Sequence, residues 1–155
     1  MVVSFKLVEP KQSPSCIEQN WLPYFEQQFS AMPIQVASQL SALQVKAKVR
    51  DYFNRWPNLN TYTIIRQGES TGCILIAAEN DVLHIIDLIV LTQFQNQGIA
   101  KSTLEQAIAL ASERQCSTVQ LSVAKENHAV NLYRAFEFDV IDESVSHLSM
   151  ELKLT

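Results

Sequence analysis

Between an apolar run, Leu83 to Leu91, and an amphipathic one, Ile99 to Ala111, the chain carries Gln95-Asn96-Gln97-Gly98-Ile99-Ala100. A strand that turns through a glycine into a helix gathers unpaired backbone N–H groups at the positive end of the helix dipole. Such a point binds anions, phosphates above all. Gly98 has no Cβ, so the backbone can turn tightly and approach a phosphate closely.

Three other side chains are candidates for chemistry. Asp87 is a lone carboxylate inside Ile85-Ile86-Asp87-Leu88-Ile89-Val90, a costly placement unless it is solvated or hydrogen-bonded. Tyr133 carries a phenol, ordinarily of pKa ~10 and protonated at neutral pH. It shares a helix face with Leu132 and Phe136, so spacing alone assigns it to the core. Asn127 stands where it can cap a short helix. His84, His128 and His147 show no i, i+4 pairing, and Cys16, Cys73 and Cys116 are odd in number and widely spaced. Neither set suits a metal, and the cysteines do not form a disulfide framework.

The order Gln95-x-x-Gly98-x-Ala100, directly after a strand ending in Val90, resembles the acyl-CoA pyrophosphate loop of the GNAT superfamily of N-acetyltransferases. That family writes the loop Gln/Arg-x-x-Gly-x-Gly/Ala. Asn127, then Leu132-Tyr133, then Phe138 follow its later Asn…Leu-Tyr…Gly-Phe signature. One strand-like run, Thr118 to Ala124, separates the two blocks. The resemblance covers roughly residues 60 to 155 and is only a plausible layout before that.

The resemblance implies acetyl-CoA as cosubstrate, no metal, and direct attack by a primary amine of a small molecule or peptide in a ternary complex. Backbone groups near Leu88, Ile89 and Val90 would hold the pantetheine arm as an added strand does. The N–H groups of Gln97, Gly98, Ile99, Ala100, Lys101 and Ser102 would hold the pyrophosphate, with Gln95 and Asn96 completing the loop. Lys101 or Ser102 could add a side-chain contact, and Asn127 a contact to the arm. N–H donors near Ile89 would stabilise the developing oxyanion, an effect worth ~3–4 kcal/mol in comparable sites. Tyr133 would protonate the departing thiolate. Asp87 would take the amine's proton or bind the ammonium; a structural hydrogen bond to a neighbouring loop is the alternative.

Glu137 departs from the pattern, standing where the family has the glycine that ends the helix in a left-handed turn. A non-glycine residue there costs ~1 kcal/mol. Lys125 and His128 also differ, which bears on the acceptor edge. A competing reading is a binding module that keeps the loop, has lost catalysis and senses acyl-CoA. A Rossmann or P-loop site needs Gly-x-Gly-x-x-Gly or Gly-Lys-Ser/Thr, and Gly98-Ile99-Ala100-Lys101-Ser102 has neither spacing.

The elements that must position these residues follow from periodicity. Residues 2–8 read as a strand ended by Pro10, Trp21 to Phe29 as a helix, and Val36 to Trp56 as a second helix. Strands follow at Tyr62–Arg66, Gly72–Ala78 and Leu83–Leu91, joined by short turns that imply antiparallel neighbours. The helix after the loop and strand 118–124 then give a parallel pair by right-handed crossover. A short helix and a hairpin, Phe138–Ile141 with His147–Leu154, close the chain. The expected fold is α/β (α+β). Its mixed, mostly antiparallel sheet has six to seven strands, helices on both faces and a splayed parallel pair in the middle.

With 155 residues, one domain over 1–155 is the simplest division. A net charge of −4 argues against a nucleic-acid surface. No apolar run reaches the ~18 residues of a membrane span, and the first residues turn polar too quickly for a signal peptide. Reduced thiols fit a cytoplasmic protein, and the last hairpin could pair across a homodimer.

Overall fold

The structure, a computed structural model, describes residues 2–8 and 15–155; the expected stop at Pro10 lies outside them. The first strand, β1 (Ser4–Leu7), pairs antiparallel with β2 (Asn60–Arg66), which pairs with β3 (Glu69–Glu79), and β3 with β4 (Val82–Val90). Two-residue turns join the last three. Gln67-Gly68 and Asn80-Asp81 all have positive φ, the twist that two-residue hairpins require.

From β4 the chain crosses through helix α3 (Ile99–Glu113) to β5 (Thr118–Ala124), which lies parallel to β4. Helix α4 (Ala129–Ala135) then leads to β6 (Asp139–Glu143) and β7 (His147–Lys153), and β7 inserts between β5 and β6. The seven strands run β1-β2-β3-β4-β5-β7-β6, with β4 and β5 the parallel pair among the described residues. Among those residues, no helix is long and apolar enough to cross a membrane.

Helices cover both faces. On one, Ile99, Leu104, Ala107 and Ala111 of α3 and Val130 and Tyr133 of α4 pack on Ile64, Ile74, Ile76, Leu83 and Ile85. On the other lie α1 (Ser15–Gln28) and α2 (Ile34–Arg55), whose Cys16, Ile17, Tyr52 and Phe53 meet Cys73, Leu75 and Ile89. Helix α1 begins six residues before the expected Trp21 start and contains Pro23. Proline removes the N–H that would reach Gln19, a residue on the exposed side. Helix α2 is continuous and begins two residues before the expected Val36.

The middle of β4 breaks its alternation. Ile76 faces Ile85, yet the preceding residue, Leu75, faces Asp87, so Ile86 is extra. Period two from Leu83 and Ile85 would have sent Asp87 toward α3 and α4. The bulge re-aims it toward α2, the usual effect of one inserted residue. Gly72 lies opposite this strand's end, and a Cβ there would overlap the Ile89 carbonyl oxygen. Backbone cannot yield without moving β4. Gly72→Ala should therefore destabilise the fold by about 1–3 kcal/mol, seen as a lower denaturant midpoint; an unchanged midpoint would show that β4 has room to move.

Candidate active site

Pairing between β4 and β5 stops at Ile85↔Leu121. Beyond it β4 continues along β3 to Val90, while β5 follows β7 to Ala124. The strands diverge, and a cleft of about 1280 Å³ opens between them. Leu88, Ile89 and Val90 wall one side and Ser122, Val123 and Ala124 the other.

The hydrogen bonds show which backbone groups face the gap. Leu91 N–H donates to Thr71 O at 2.9 Å, toward β3. Alternation then turns the N–H of Ile89 toward β3 as well, and the polar groups of Leu88 and Val90 into the gap. Two side chains confirm it: Leu88 N–H donates to Asp87 Oδ1 at 3.0 Å, and Gln95 Nε2 donates to Val90 O at 3.0 Å. Of the backbone donors near Ile89, the one that faces the gap is thus the N–H of Leu88. Sequence alone could not fix this parity, because the bulge at Ile86 resets it.

At the mouth of the cleft a single 3-10 turn, Thr92–Phe94, leads into the loop. Asn96 has φ 61° and Gly98 φ 79°, so the glycine is used for the left-handed turn that starts α3. Ile99 follows at once and is buried, which anchors the loop by ~2 kcal/mol. Among the described residues, the N–H groups from Asn96 to Lys101 reach no acceptor. Ser102 N–H is the first to close, onto Gly98 O at 3.1 Å. Its backbone is spent in the helix, so Ser102 is left with its hydroxyl. Gln97 Nε2 donates to Gln93 O at 3.3 Å. Gln95, Asn96, Gly98, Ile99, Ala100 and Lys101 line the cleft, and Gln97 and Ser102 do not.

On the α2 side of the gap, Tyr52 Oη donates to Asp87 Oδ2 at 2.5 Å. Burial pushes the Asp87 carboxyl above the usual carboxylate range; the Tyr52 hydroxyl, the Lys48 charge and the Leu88 N–H pull it back down. Burial, and then the charge and hydrogen bond of Asp87, push the Tyr52 phenol well up. Tyr133 approaches from α4, its ring 5.8 Å from that of Phe138. Burial and then Asp87 raise its phenol to about 12. Its ring is in the core and also lines the cleft. One residue is thus both core and cleft wall.

Asn127 lines the cleft too, and its Oδ1 accepts Ala129 N–H at 2.9 Å, capping α4 and leaving Nδ2 for a ligand. Glu137 takes φ 67°. Phe138 N–H to Tyr133 O and Glu137 N–H to Arg134 O complete the helix stop that glycine usually makes. The chain bears that strain without losing the geometry.

Sequence reading missed Lys48 and placed Tyr52 among aromatics that are mainly core, some of them lining the acceptor pocket. Lys48 Nζ lies 3.9 Å from the centre of the Trp21 ring, and Lys48 and Tyr52 sit one turn apart on α2. Spacing hid them because Tyr52 also reads as core. Beside the cleft, a second cavity of about 490 Å³ is lined by Lys48, Tyr52, Arg55, Trp56 and His84. It shares Ile85, Ile86, Leu121 and Ser122 with the first, so the gap opens to both sides of the sheet. The His84 ring packs at a tilt against that of Trp56, their centres 4.6 Å apart, and burial lowers its pKa.

The Acetyltransferase (GNAT) family profile matches residues 21–138. Among solved structures, the chain is similar to the PaiA N-acetyltransferase of Thermoplasma acidophilum in complex with coenzyme A. Identity is 14%, over 99% of this chain and 100% of that one, at a TM-score of 0.68. The ribosomal-protein-S18-alanine N-acetyltransferase of Escherichia coli is 16% identical over 99% and 95%, at 0.67. A GNAT family acetyltransferase of Elizabethkingia anophelis with acetyl-CoA bound is 14% identical over 98% of both chains, at 0.67. At such identities the likeness shows the fold. No curated protein sequence matches the chain.

The Asp87 carboxyl carries a prediction of its own. Its folded-state pKa is raised, so its burial weakens the fold once pH exceeds the unfolded value of about 3.9, and costs nothing below it. Asp87→Asn should raise Tm at pH 7, and the gain should vanish toward pH ~4. Melting curves across that range decide; a gain independent of pH would contradict the assignment.

Proposed function

The chain belongs to the acetyltransferase (GNAT) family, and on that premise we propose that it transfers an acetyl group from acetyl-CoA to a primary amine. One observation carries the reading: the unpartnered N–H groups from Asn96 to Lys101 stand at the mouth of a gap edged by unpaired strand backbone. Four of these six residues are exposed, so water meets the donors until a diphosphate, which offers several acceptors at a helix start, replaces it.

The residues fit the cosubstrate along its length. Loop donors would take the pyrophosphate, and Val90 N–H and Leu88 C=O the pantetheine amides, as in strand addition. Bound acetyl-CoA supplies an activated thioester carbon. Leu88 N–H then faces the carbonyl oxygen, where charge develops on attack. The acceptor amine enters from the α2 side, through the cavity beside Tyr52. Orientation of the two reactants supplies a large part of the rate.

Protons balance without a covalent enzyme intermediate. The amine nitrogen bonds to the acyl carbon and the carbon–sulfur bond breaks. Asp87 takes a proton from nitrogen, and Tyr133 gives its hydroxyl proton to sulfur. Water can return the Asp87 proton to the phenolate. A phenol of about 12 is always charged with its proton but is a reluctant acid. Tyr133 therefore works first as a hydrogen-bond donor to sulfur as the bond stretches.

The acceptor belongs to the small-molecule or peptide amines, and the unpaired cysteines suit work in the cytoplasm. Thiol release from acetyl-CoA with a panel of amines tests the reading. Turnover is the expected result; coenzyme A binding with no turnover on any amine would favour a sensor instead. Tyr133→Phe should lower kcat ~10- to 100-fold with little change in the KM for acetyl-CoA. Asp87→Asn should cut kcat/KM at least ~30-fold, about 2 kcal/mol. Unchanged values would remove either residue from the mechanism.

A further inference from the structure

Leu88 N–H points into the gap where an acyl carbonyl needs a donor, yet Asp87 Oδ1 already accepts it at 3.0 Å. The other oxygen of that carboxylate holds the Tyr52 hydroxyl at 2.5 Å. Asp87 thus occupies, in the resting chain, the donor on which the reaction depends. Both of its oxygens are thus engaged before any acceptor arrives.

Resting on the acyl-transfer reading, we propose that the incoming thioester carbonyl takes the Leu88 N–H from Asp87, and that the released Oδ1 then turns to the acceptor amine as its proton acceptor. One N–H···O bond is exchanged for another, and no covalent bond changes in that step. The acyl donor must therefore load before Asp87 can work on the amine. Order is built into the geometry.

A carboxylate is a stronger acceptor than a thioester carbonyl. The exchange by itself is uphill and is driven by the rest of the donor, already held at loop and strand. Coenzyme A, which has no acyl carbonyl, leaves the Asp87 contact in place. Several groups face Asp87. Lys48 and Tyr52 on α2 favour its charged form. Cys73 on β3, with Cys16 of α1 against it, and Tyr133 on α4 are held protonated by burial and their neighbours. Among these contacts the Leu88 donor is the one an acyl carbonyl can remove. Its loss raises the proton affinity of Asp87, since a hydrogen bond to the charged form is gone.

Carboxyl 13C NMR of aspartate-labelled protein tests this in the unsubstituted chain, with the Asp87 signal identified by its absence from Asp87→Asn. The titration midpoint should rise by about one pH unit with a non-transferable ketone analogue of acetyl-CoA and stay in place with coenzyme A. Calorimetry adds a second readout. Asp87→Ala frees the N–H, so it should tighten the ketone analogue relative to coenzyme A by about fivefold or more. Equal midpoints with both ligands, or an unchanged affinity ratio, would overturn the exchange while leaving acyl transfer intact. Failure of either ligand to bind would sink the acyl-transfer reading and this inference with it.

Discussion

The divergence of β4 from β5 after Ile85 and Leu121 is the constraint on which the site depends. Inside a sheet, backbone donors and acceptors satisfy one another, and a strand that loses its neighbour exposes a row of them. Here that row opens into a cleft between two helical layers. Everything around it either forces the divergence or answers it. Strand β7 draws β5 away through its full register, while β3 keeps β4 to its last residue.

Two side chains satisfy part of the exposed edge. Gln95 clips the Val90 carbonyl, and Asp87 clips the Leu88 N–H. Both are contacts between near neighbours in the chain. The bulge at Ile86 makes the second possible, because it turns Asp87 to the side where Tyr52 can hold it. A carboxylate there costs burial energy, and its three stabilising neighbours offset only part of it.

Much of this was legible in residue order. Gln95, Gly98 and Ala100 lie between a strand and a helix whose periodicities are clear, so the loop that turns from one into the other could be read directly. The short turns around Gly68 and Asn80 fixed three antiparallel strands, and the crossover fixed the parallel pair. What was not legible depended on tertiary register. Which of Leu88, Ile89 and Val90 faces the gap is set by a one-residue bulge that Ile85-Ile86-Asp87 does not announce. Tyr52 lies 35 positions from Asp87, and nothing local links them. The start of α1 at Ser15 was hidden because the aromatic spacing that marks the helix begins only at Trp21. Glu137 shows the opposite case: a local rule is broken, and the surrounding hydrogen bonds hold the turn regardless.

Amide hydrogen exchange, followed residue by residue with and without coenzyme A, tests the central claim most directly. If the open strand edge and the loop are the ligand's partners, the amides of Val90 and of Asn96 to Lys101 should gain protection together. The Ile89 amide, already turned to β3, should change little. Binding that leaves those loop and edge amides exchanging as before would contradict it.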